Sequence, residues 1–539
     1  MKTQKSLVII LWLAIIMAYQ IFCGSLAMAA EHPRDVVVEA PNYTAVFSTH
    51  GGSLKSLKLK NYNQDCYECA EDLWPKVKKF FTGNKNIITP ETPGFVELVN
   101  VRDGMPYPLA VTFSDSTYNI AADVVYEASA PKLILNTKDK QQLIFIHTSN
   151  NIKVEKIFTF DPAGYTIDFD VKIHNLAAAP ITQAPVINWY QYANPQKANK
   201  DYGHEGAIVS LGPGKVERTN TKTLSGETYL GPNVSWSAYE SKYFIAALIP
   251  RNPSLSNVVI TRDSNNMITV GTKGNKELIP GGQDVSLSYS LYMGPKKHDL
   301  LLSLGVGMEY AIDFGLFRLL SVPLLLLLNF LHGFVINYGI AIIIMTVLIK
   351  AAFLPLGSLS SKSMKAMRDI KPKIDKLKEK YKGDKIKISQ ETMALYRQYK
   401  VNPFSGILPI LIQVPVFIGL YRVLMYSVEL RHSPFFFWIQ DLSARDPFYI
   451  VPVLMGISQF VVQKITPSVG NEEMKKVMLW MPVLFTFLFM SFPAGLVIYW
   501  MLNNILQIAQ QLYLNKKLGL NDVVHQKQKI GQLATDVQK

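Results

Sequence analysis

The sequence predicts a polytopic α-helical membrane protein with six transmembrane helices, joined to an all-β sandwich domain outside the cytoplasm. Three observations lead to this prediction. Apolar residues are concentrated at the N-terminus and after residue 315, in runs close to the ~20 residues that cross a bilayer. Residues 31–300 instead carry short alternating segments separated by turn residues. Lysine and arginine are concentrated in the loops on one side of the predicted spans.

The first 30 residues have the layout of a targeting segment. Lys2 and Lys5 precede an apolar run from Leu7 to Gly24, and Ala27-Met28-Ala29 follows it. This order is typical of a cleaved secretory signal peptide, but the run is also long enough to stay in the membrane. Residues 1–30 are therefore predicted as a signal-anchor transmembrane helix, with cleavage as the alternative.

Residues 31–300 are predicted as an antiparallel β-sandwich. Short strand-like segments with turns of Gly, Pro, Asn and Asp between them are typical of that architecture. The clearest segments are 35–39, 141–147, 153–160, 166–173 and 285–293.

Two motifs in this domain are candidates for ligand sites. Cys66 and Cys69 could be a redox pair or half of a metal site, but further zinc ligands and the βαβ context of a thioredoxin motif are missing. A loop-stiffening disulfide or two unused thiols is the expected interpretation. Residues 212–215 lack the spacing and the Ser/Thr of a phosphate loop and are predicted as a turn. The sequence therefore predicts neither a metal site nor a cofactor.

The C-terminal part contains the other predicted spans, which are residues 336–356, 404–428, 448–464, 477–492 and 494–514. Residues 301–335 are predicted to contain an amphipathic helix at the membrane interface. Its apolar stretch is interrupted by Pro323 and carries Arg318 and Asn329, which is unfavourable for a span.

The distribution of charge predicts the orientation. Residues 357–403 contain thirteen Lys and Arg against five Asp and Glu, so this loop is expected in the cytoplasm. The loop 429–447 contains two arginines and suits the outside, whereas residues 515–539 form a basic cytoplasmic tail. Both termini are cytoplasmic if the first helix is retained.

The cytoplasmic loop 357–403 is predicted to form a helical hairpin. Apolar residues at three-four spacing give each arm a seam, namely Met367, Ile370, Ile374, Leu377 and Tyr381 in the first and Met393, Tyr396 and Tyr399 in the second. Ser389 is the expected N-cap of the second arm. The hairpin is either a solvated connector or a docking surface for acidic partners, lipid headgroups or ribosomal RNA. The lysines expected to dock partners are Lys371, Lys373, Lys376 and Lys380.

Lys350 lies inside a predicted span, where a lysine costs about 2.5–3.5 kcal/mol at mid-bilayer. It lies roughly 9 Å from the cytoplasmic end of the span at ~1.5 Å per residue, so snorkelling to the interface also explains it. The last span carries a polar stripe at Asn503, Asn504, Gln507 and Gln511, and other spans add Gln413 and Gln459.

Interhelical hydrogen bonding explains any one of these amides. Together with Lys350 they predict a wet cavity that is open to the cytoplasm and closed outside. A cavity that reaches only halfway through the bilayer does not suit an ion channel. It could instead receive a polar segment of another protein chain that is entering the membrane, called here the client. The cavity would lower the cost of desolvating that segment while the client's apolar part enters lipid. No covalent step is needed, so no catalytic residue is predicted.

Six motifs add a family resemblance: Ser389–Tyr396, Lys400–Pro403, Leu411–Pro415, Ser427–Arg431, Trp438–Ser443 and Phe492–Val497. With them the chain closely resembles the YidC family of membrane protein insertases, most specifically between residues 336 and 514. The resemblance implies a bacterial inner-membrane protein with an uncleaved first helix, a periplasmic β-domain and a five-helix core. It also implies a hydrophilic groove open to the cytoplasm and lipid.

The resemblance also suggests roles for individual residues. Lys350 falls where the family usually has arginine, Thr346 lies one turn before it, and Gln413 and Pro415 are expected to line the client path. Tyr499 and Trp500 replace a tyrosine pair of close relatives. The hairpin and the tail, including Lys516 and Lys517, resemble contact regions for the ribosome and a targeting receptor.

The implied partners are nascent membrane proteins, the Sec translocon, the ribosome, the targeting receptor and membrane lipids, with no dedicated nucleic-acid substrate. A solute transporter or channel is the alternative function, but the five unequal spans show no inverted repeat. An extracytoplasmic binding or assembly module would leave Lys350 and the amide stripe unexplained. An enzyme is disfavoured, since no nucleophile–base set or nucleotide motif is present.

Overall fold

The computed structural model describes residues 34–64, 94–102, 104–136, 139–149, 151–193, 203–220, 224, 226–253, 256–399, 408–465 and 472–517. They belong to two compact units, a β-rich unit that ends at Ala311 and a helical unit that begins at Ile312. The predicted first helix, Cys66, Cys69 and the tail beyond residue 517 lie outside the described residues.

Within its described residues the β-rich unit forms twenty-one strands. These are β1 (Asp35–Glu39), β2 (Tyr43–Ser48), β3 (Ser53–Asn63), β4 (Phe95–Glu97), β5 (Ala110–Phe113), β6 (Glu127–Ala128), β7 (Lys132–Ile134), β8 (Gln141–Ser149), β9 (Ile152–Phe160), β10 (Thr166–Asn175), β11 (Ile181–Gln183), β12 (Pro185–Tyr192), β13 (Gly206–Ser210), β14 (Val216–Arg218), β15 (Glu227–Leu230), β16 (Trp236–Glu240), β17 (Phe244–Pro250), β18 (Asn257–Arg262), β19 (Met267–Lys273), β20 (Glu277–Ile279) and β21 (Asp284–Pro295).

The largest sheet has nine strands in the order β14-β13-β16-β17-β21-β10-β9-β8-β6. Two five-stranded sheets have the orders β4-β3-β2-β1-β7 and β15-β18-β19-β12-β5, and β11 pairs with β20. All five strand segments singled out in the sequence are confirmed as β1, β8, β9, β10 and β21. The alternating apolar residues that predicted β10 are buried along its whole length, because successive side chains of a strand point to opposite faces.

A cluster of phenylalanines forms the centre of the core beside β9. Phe47 and Phe169 each pack against Phe158, with ring centroids 4.8 and 4.6 Å apart. Lys156 on the same strand is also fully buried, and its Nζ donates to the carbonyl oxygens of Gly51 (2.6 Å) and Leu109 (2.9 Å). Burial lowers the pKa of Lys156 to about 7. This amine therefore links β9 to two loops through their backbone carbonyls.

The predicted turn at residues 212–215 is confirmed. It connects β13 and β14, and the amide of Leu211 donates to the carbonyl of Lys215. At the other end of β13, buried Glu240 accepts from Lys296 (3.0 Å), His204 (3.0 Å) and Arg218 (3.0 Å). Arg218 also donates to the carbonyl of Ala311 (3.0 Å), so this cluster holds the last residues of the β-rich unit.

The helices of the described chain are α1 (His298–Ser303), α2 (Arg318–Val335), α3 (Tyr338–Lys380), α4 (Lys385–Gln398), α5 (Leu408–Tyr426), α6 (Ile450–Ile465), α7 (Glu472–Phe489) and α8 (Ala494–Lys517). Short 3₁₀ turns occupy Met308–Ala311, Gly315–Phe317 and Val428–Leu430. By length and composition, Gly315–Val335 and Tyr338–Leu359 are each long and apolar enough to cross a membrane. Residues 315–335 therefore meet the criteria for a span as well as those for the predicted interfacial helix.

Two helices continue through internal prolines. Helix α2 continues through Pro323, which lies in its second turn. A proline there removes one backbone hydrogen bond, and the leucine-rich turns that follow remain helical. Helix α3 is continuous over 43 residues and includes both the predicted span and the first arm of the hairpin. The arm therefore extends directly from the helix that carries Lys350.

The seam of the first hairpin arm is confirmed for Met367, Ile370 and Ile374, which are buried, whereas Leu377 and Tyr381 are half-buried. In the second arm, the predicted cap and seam are wrong. Asp384, not Ser389, caps α4 by accepting from the amide of Lys387 (2.9 Å). Asp and Ser cap helices about equally well, so the helix begins at the earlier of the two, directly after the Gly383 turn. Met393 and Tyr399 of α4 are exposed.

Candidate functional site

Lys350 lies at the centre of a polar cluster between α3 and α8. Its Nζ donates to Oε1 of Gln507 (2.5 Å) and to Oδ1 of Asn503 (3.5 Å). Asn503 and Gln507 are four residues apart and so share one face of α8. Lys350 is half-buried, and no carboxylate among the described residues forms an ion pair with it. Its charge is therefore balanced by amide dipoles alone within the described structure.

Close packing of α3 and α8 continues beside this cluster. The side-chain amide of Gln510 on α8 lies over Gly357 of α3, where an added Cβ atom would overlap it. Small residues leave room for such contacts between membrane helices. The polar cluster is thus held between two packed helices and not on a free helix surface.

The predicted polar stripe of α8 divides between two neighbours. Asn503 and Gln507 face Lys350, whereas the Asn504 amide donates to Oγ of Ser458 on α6 (3.0 Å). Asn504 and Gln511 are buried, and Ser458 in turn donates to the carbonyl of Met455 (2.6 Å). The stripe therefore joins α8 to α3 on one side and to α6 on the other.

Trp500 connects the polar and apolar parts of α8. Its indole Nε1 donates to Oε1 of Gln459 (3.2 Å). Its ring lies 4.6 Å from that of Phe417 on α5 and 5.1 Å from that of Phe489 on α7. The side chain is half-buried, so it presents a partly accessible aromatic surface beside an amide.

The other predicted groove residues are buried or half-buried in the helical unit. Thr346 is buried and its hydroxyl donates to the carbonyl of Ile342 on its own helix (2.6 Å). Tyr499 is buried beside Phe417. Gln413 and Pro415 on α5 are half-buried. The structure thus brings Lys350, Asn503 and Gln507 into direct contact, while Thr346 and Tyr499 are packed inside the helical unit.

The predicted docking lysines of the hairpin border a shallow cavity of about 300 Å³ between α3 and α4. Lys373, Lys376 and Lys380 line it together with Leu377, Glu391, Ala394, Leu395 and Gln398. Lys373 also donates to the hydroxyl of Tyr399 and lies 4.4 Å from the centre of its ring. Lys371 is half-buried, Lys516 is exposed, and the side chain of Lys517 is outside the described part.

The sequence analysis did not identify Ser458 as part of the polar contacts, and it did not commit to Gln459 as a site residue. Both lie on α6, where a serine two residues after Gly456 gives a weak signal in sequence. No group of three His, Cys, Asp or Glu residues in the described chain could hold a metal ion.

Comparisons with known proteins identify the family of the chain. The family model for the 60Kd inner membrane protein matches residues 330–521, and that for the YidC periplasmic domain matches residues 88–327. A membrane protein insertase YidC from Syntrophus aciditrophicus is 48% identical over 490 residues, which are 90% of this chain and 86% of that protein. The chain belongs to the YidC family of membrane protein insertases.

A second YidC insertase, from Citrifermentans bemidjiense, is 38% identical over 90% of this chain and 86% of its own length. A crystal structure described as an active YidC insertase with its first transmembrane domain resolved is 20% identical. It covers 92% of this chain and 98% of that one with a TM-score of 0.35, so the assignment depends on the sequence relatives. The YidC resemblance of the motifs is therefore confirmed, together with membrane protein insertion, an inner-membrane location and a periplasmic domain.

Proposed function

We propose that this YidC family member inserts client proteins through the polar cluster of Lys350, Asn503 and Gln507. The observation that carries the proposal is a half-buried lysine whose described partners are neutral amides. An ammonium has three donors, and two of them are used by Asn503 and Gln507. An acidic or polar client segment supplies the missing acceptor and loses less solvation there than in lipid.

The aromatic surface beside the cluster gives the apolar part of the client a route into lipid. Trp500, Phe417 and Phe489 form contacts between α5, α7 and α8. In this mechanism the client's polar segment stays near Lys350 while its apolar segment moves along these rings. Burial of the client's own apolar surface, worth about 25 cal/mol per Å², drives the step without covalent chemistry. Gln413 and Pro415 border the same path on α5.

The proposed topology has six spans with both termini in the cytoplasm. Residues 1–30 form the first span, the first half of α3 the second, and α5 to α8 the others, while α2 lies at the interface. The thirteen basic residues of 357–403 support a cytoplasmic hairpin. The β-rich unit is proposed as a periplasmic β-sandwich, supported by strands such as β10 that bury alternate residues.

The hairpin and tail are proposed to receive the ribosome, a targeting receptor and early clients, and the core is proposed to work alone or with the Sec translocon. The basic rim of Lys373, Lys376 and Lys380 supports this role, because clustered cations attract acidic or phosphate-rich partners. No nucleic acid is proposed as a dedicated substrate and no cofactor is required.

The test of the proposed function is client insertion into proteoliposomes containing Lys350 variants. Lys350→Arg keeps the charge and is expected to retain insertion, whereas Lys350→Ala is expected to impair clients with acidic translocated tails. Lys350→Met controls for side-chain length, and a client with a neutral tail controls for general damage. Equal loss for acidic and neutral tails would overturn the role assigned to the lysine charge.

A further inference from the structure

The loop between α5 and α6 exposes a run of aromatic side chains. Phe435, Phe436, Phe437 and Trp438 are consecutive and are called here the aromatic turn. The side chain of Phe437 is 86% exposed and that of Phe436 is 47% exposed. Exposure of two phenylalanine rings to water loses the free energy that burial of their apolar surface would give. We therefore expect an apolar environment to cover these rings.

The exposure does not arise from a loosely held segment. The amide of Phe435 donates to the carbonyl of Ile439 (2.9 Å), and the Gln440 side chain donates to the carbonyl of Phe437 (2.8 Å). The Trp438 indole donates to buried Asp446 (3.0 Å). These bonds close the aromatic turn and place Phe437 at its tip.

The backbone of Phe437 adds an independent argument. Its φ of 57° lies in the left-handed region that glycine adopts freely and bulky residues rarely adopt. A phenylalanine at this position costs conformational energy that a glycine would avoid. Strain of this kind is kept where the side chain has a use, which here is the projecting ring.

The aromatic turn is continuous with a row of exposed apolar residues on α6. The Trp438 ring contacts that of Phe448 edge-on at 6.2 Å, and Phe448 is exposed just before α6 begins. Along the helix the row continues through Ile450, Val453, Leu454 and Ile457, at i, i+3, i+4 and i+7. An apolar face of that spacing on a spanning helix faces lipid, and the turn lies at its end.

We propose that the aromatic turn is an interfacial anchor, which inserts Phe436 and Phe437 between the headgroups and acyl chains of the extracytoplasmic leaflet. Trp and Tyr concentrate at headgroup level because their rings carry a polar group. Phenylalanine rings on interfacial segments enter the boundary between headgroups and acyl chains. The anchor fixes the outer ends of α5 and α6 at headgroup level, opposite the cytoplasmic opening of the proposed cavity. The leaflet assignment rests on the six-span topology proposed above.

The test replaces Phe437 with a diazirine-bearing phenylalanine analogue in the full chain, reconstituted in phosphatidylethanolamine–phosphatidylglycerol vesicles. The same analogue at Tyr229, an exposed aromatic residue of β15, is the matched control. After irradiation, mass spectrometry is expected to find lipid adducts at position 437 and none at 229. Water adducts alone at 437, or crosslinks to the protein itself, would overturn the proposal.

A separate measurement distinguishes failure of the anchor from failure of the topology. Arg445→Cys, in a chain with Cys23, Cys66 and Cys69 replaced by serine, places a thiol on an exposed residue of the same loop. A membrane-impermeant maleimide is expected to label it from the extracytoplasmic side of spheroplasts. Labelling from the cytoplasmic side alone would contradict the leaflet assignment, whatever adducts position 437 gives.

Discussion

At the scale of single residues, charged side chains removed from solvent are balanced in different ways in the two units. Glu240 in the β-rich unit is surrounded by Lys296, His204 and Arg218. Lys350 in the helical unit contacts amide oxygens of α8. The first arrangement is saturated and therefore structural, because a carboxylate that accepts from two cations and a histidine has no need of another partner. The second leaves a cation ready for an acidic group, which is why the two sites receive different roles.

Glu240→Gln is expected to destabilise the β-rich unit by about 3–5 kcal/mol, because it leaves buried Lys296 and half-buried Arg218 without their counter-charge. Urea unfolding followed by the β-sheet circular dichroism signal measures the change. The exposed pair of Lys273 with Asp115 supplies the control, since Asp115→Asn removes a screened surface contact and is expected to change little. Equal effects of the two variants would show that the Glu240 cluster is not structural.

The same carboxylate predicts a dependence on pH. Burial alone would raise the pKa of Glu240, but the charges of Lys296, His204 and Arg218 outweigh it and lower the pKa from 4.5 to about 2. The stabilisation is therefore complete above about pH 4.5 and is lost as the pH falls toward about 2. Urea titrations across this range are expected to show a steeper loss in the parent chain than in Glu240→Gln. Parallel curves would contradict the assignment.

At the scale of elements, Asp446 fixes the start of α6. Its carboxylate accepts from the amides of Phe448 (3.0 Å) and Val451 (2.7 Å) and from the Trp438 indole (3.0 Å). Asp446→Ala is expected to cost about 0.5–2 kcal/mol for the lost cap, and more for the unpaired indole. Thermal unfolding in nanodiscs measures this loss. Asp446→Asn keeps one acceptor oxygen and should be milder; if it is as damaging as alanine, the charge matters more than capping.

The packing of α6 on α7 depends on Gly456. A Cβ atom added there would overlap the hydroxyl of Thr486, and a threonine side chain has little freedom to move away. Gly456→Ala is expected to destabilise the helical unit by about 1–3 kcal/mol through overpacking. Thr486→Ala removes the clashing hydroxyl, so the double variant should recover part of the loss. A purely additive double variant would show that the two side chains do not meet.

At the scale of the whole molecule, the sequence predicted the class of each unit and the family. Period-two alternation located β1, β8, β9, β10 and β21, because a strand with one buried face alternates apolar and polar residues. The strand order of the nine-stranded sheet was not predictable, since pairing of β21 with β10 joins segments far apart in the chain. The continuity of α3 from the predicted span into the hairpin was not predicted, because the change from apolar to charged residues near 357 marks a change of environment and not the end of the helix.

The polar cluster was predicted in part. Spacing placed Asn503 and Gln507 on one face, and the structure joins them to Lys350. Asn504 faces a different helix from its neighbour Asn503. Which helix it faces depends on how α8 is rotated about its axis, and this rotation cannot be read from a single sequence. Its bond to Ser458 therefore emerged from the structure. Thr346 illustrates the same limit, because its hydroxyl bonds to its own helix.

The central claim is that clients pass the Lys350 cluster and the Trp500 surface. Its most direct test is site-specific photocrosslinking to a stalled nascent membrane protein, with the probe at Gln507, Trp500 or Gln413. Ile505 and Leu512 are exposed residues of α8 outside the cluster and serve as controls on the same helix. We predict client crosslinks from 507, 500 and 413 that exceed those from 505 and 512. Crosslinks from 505 and 512 alone would contradict the groove mechanism.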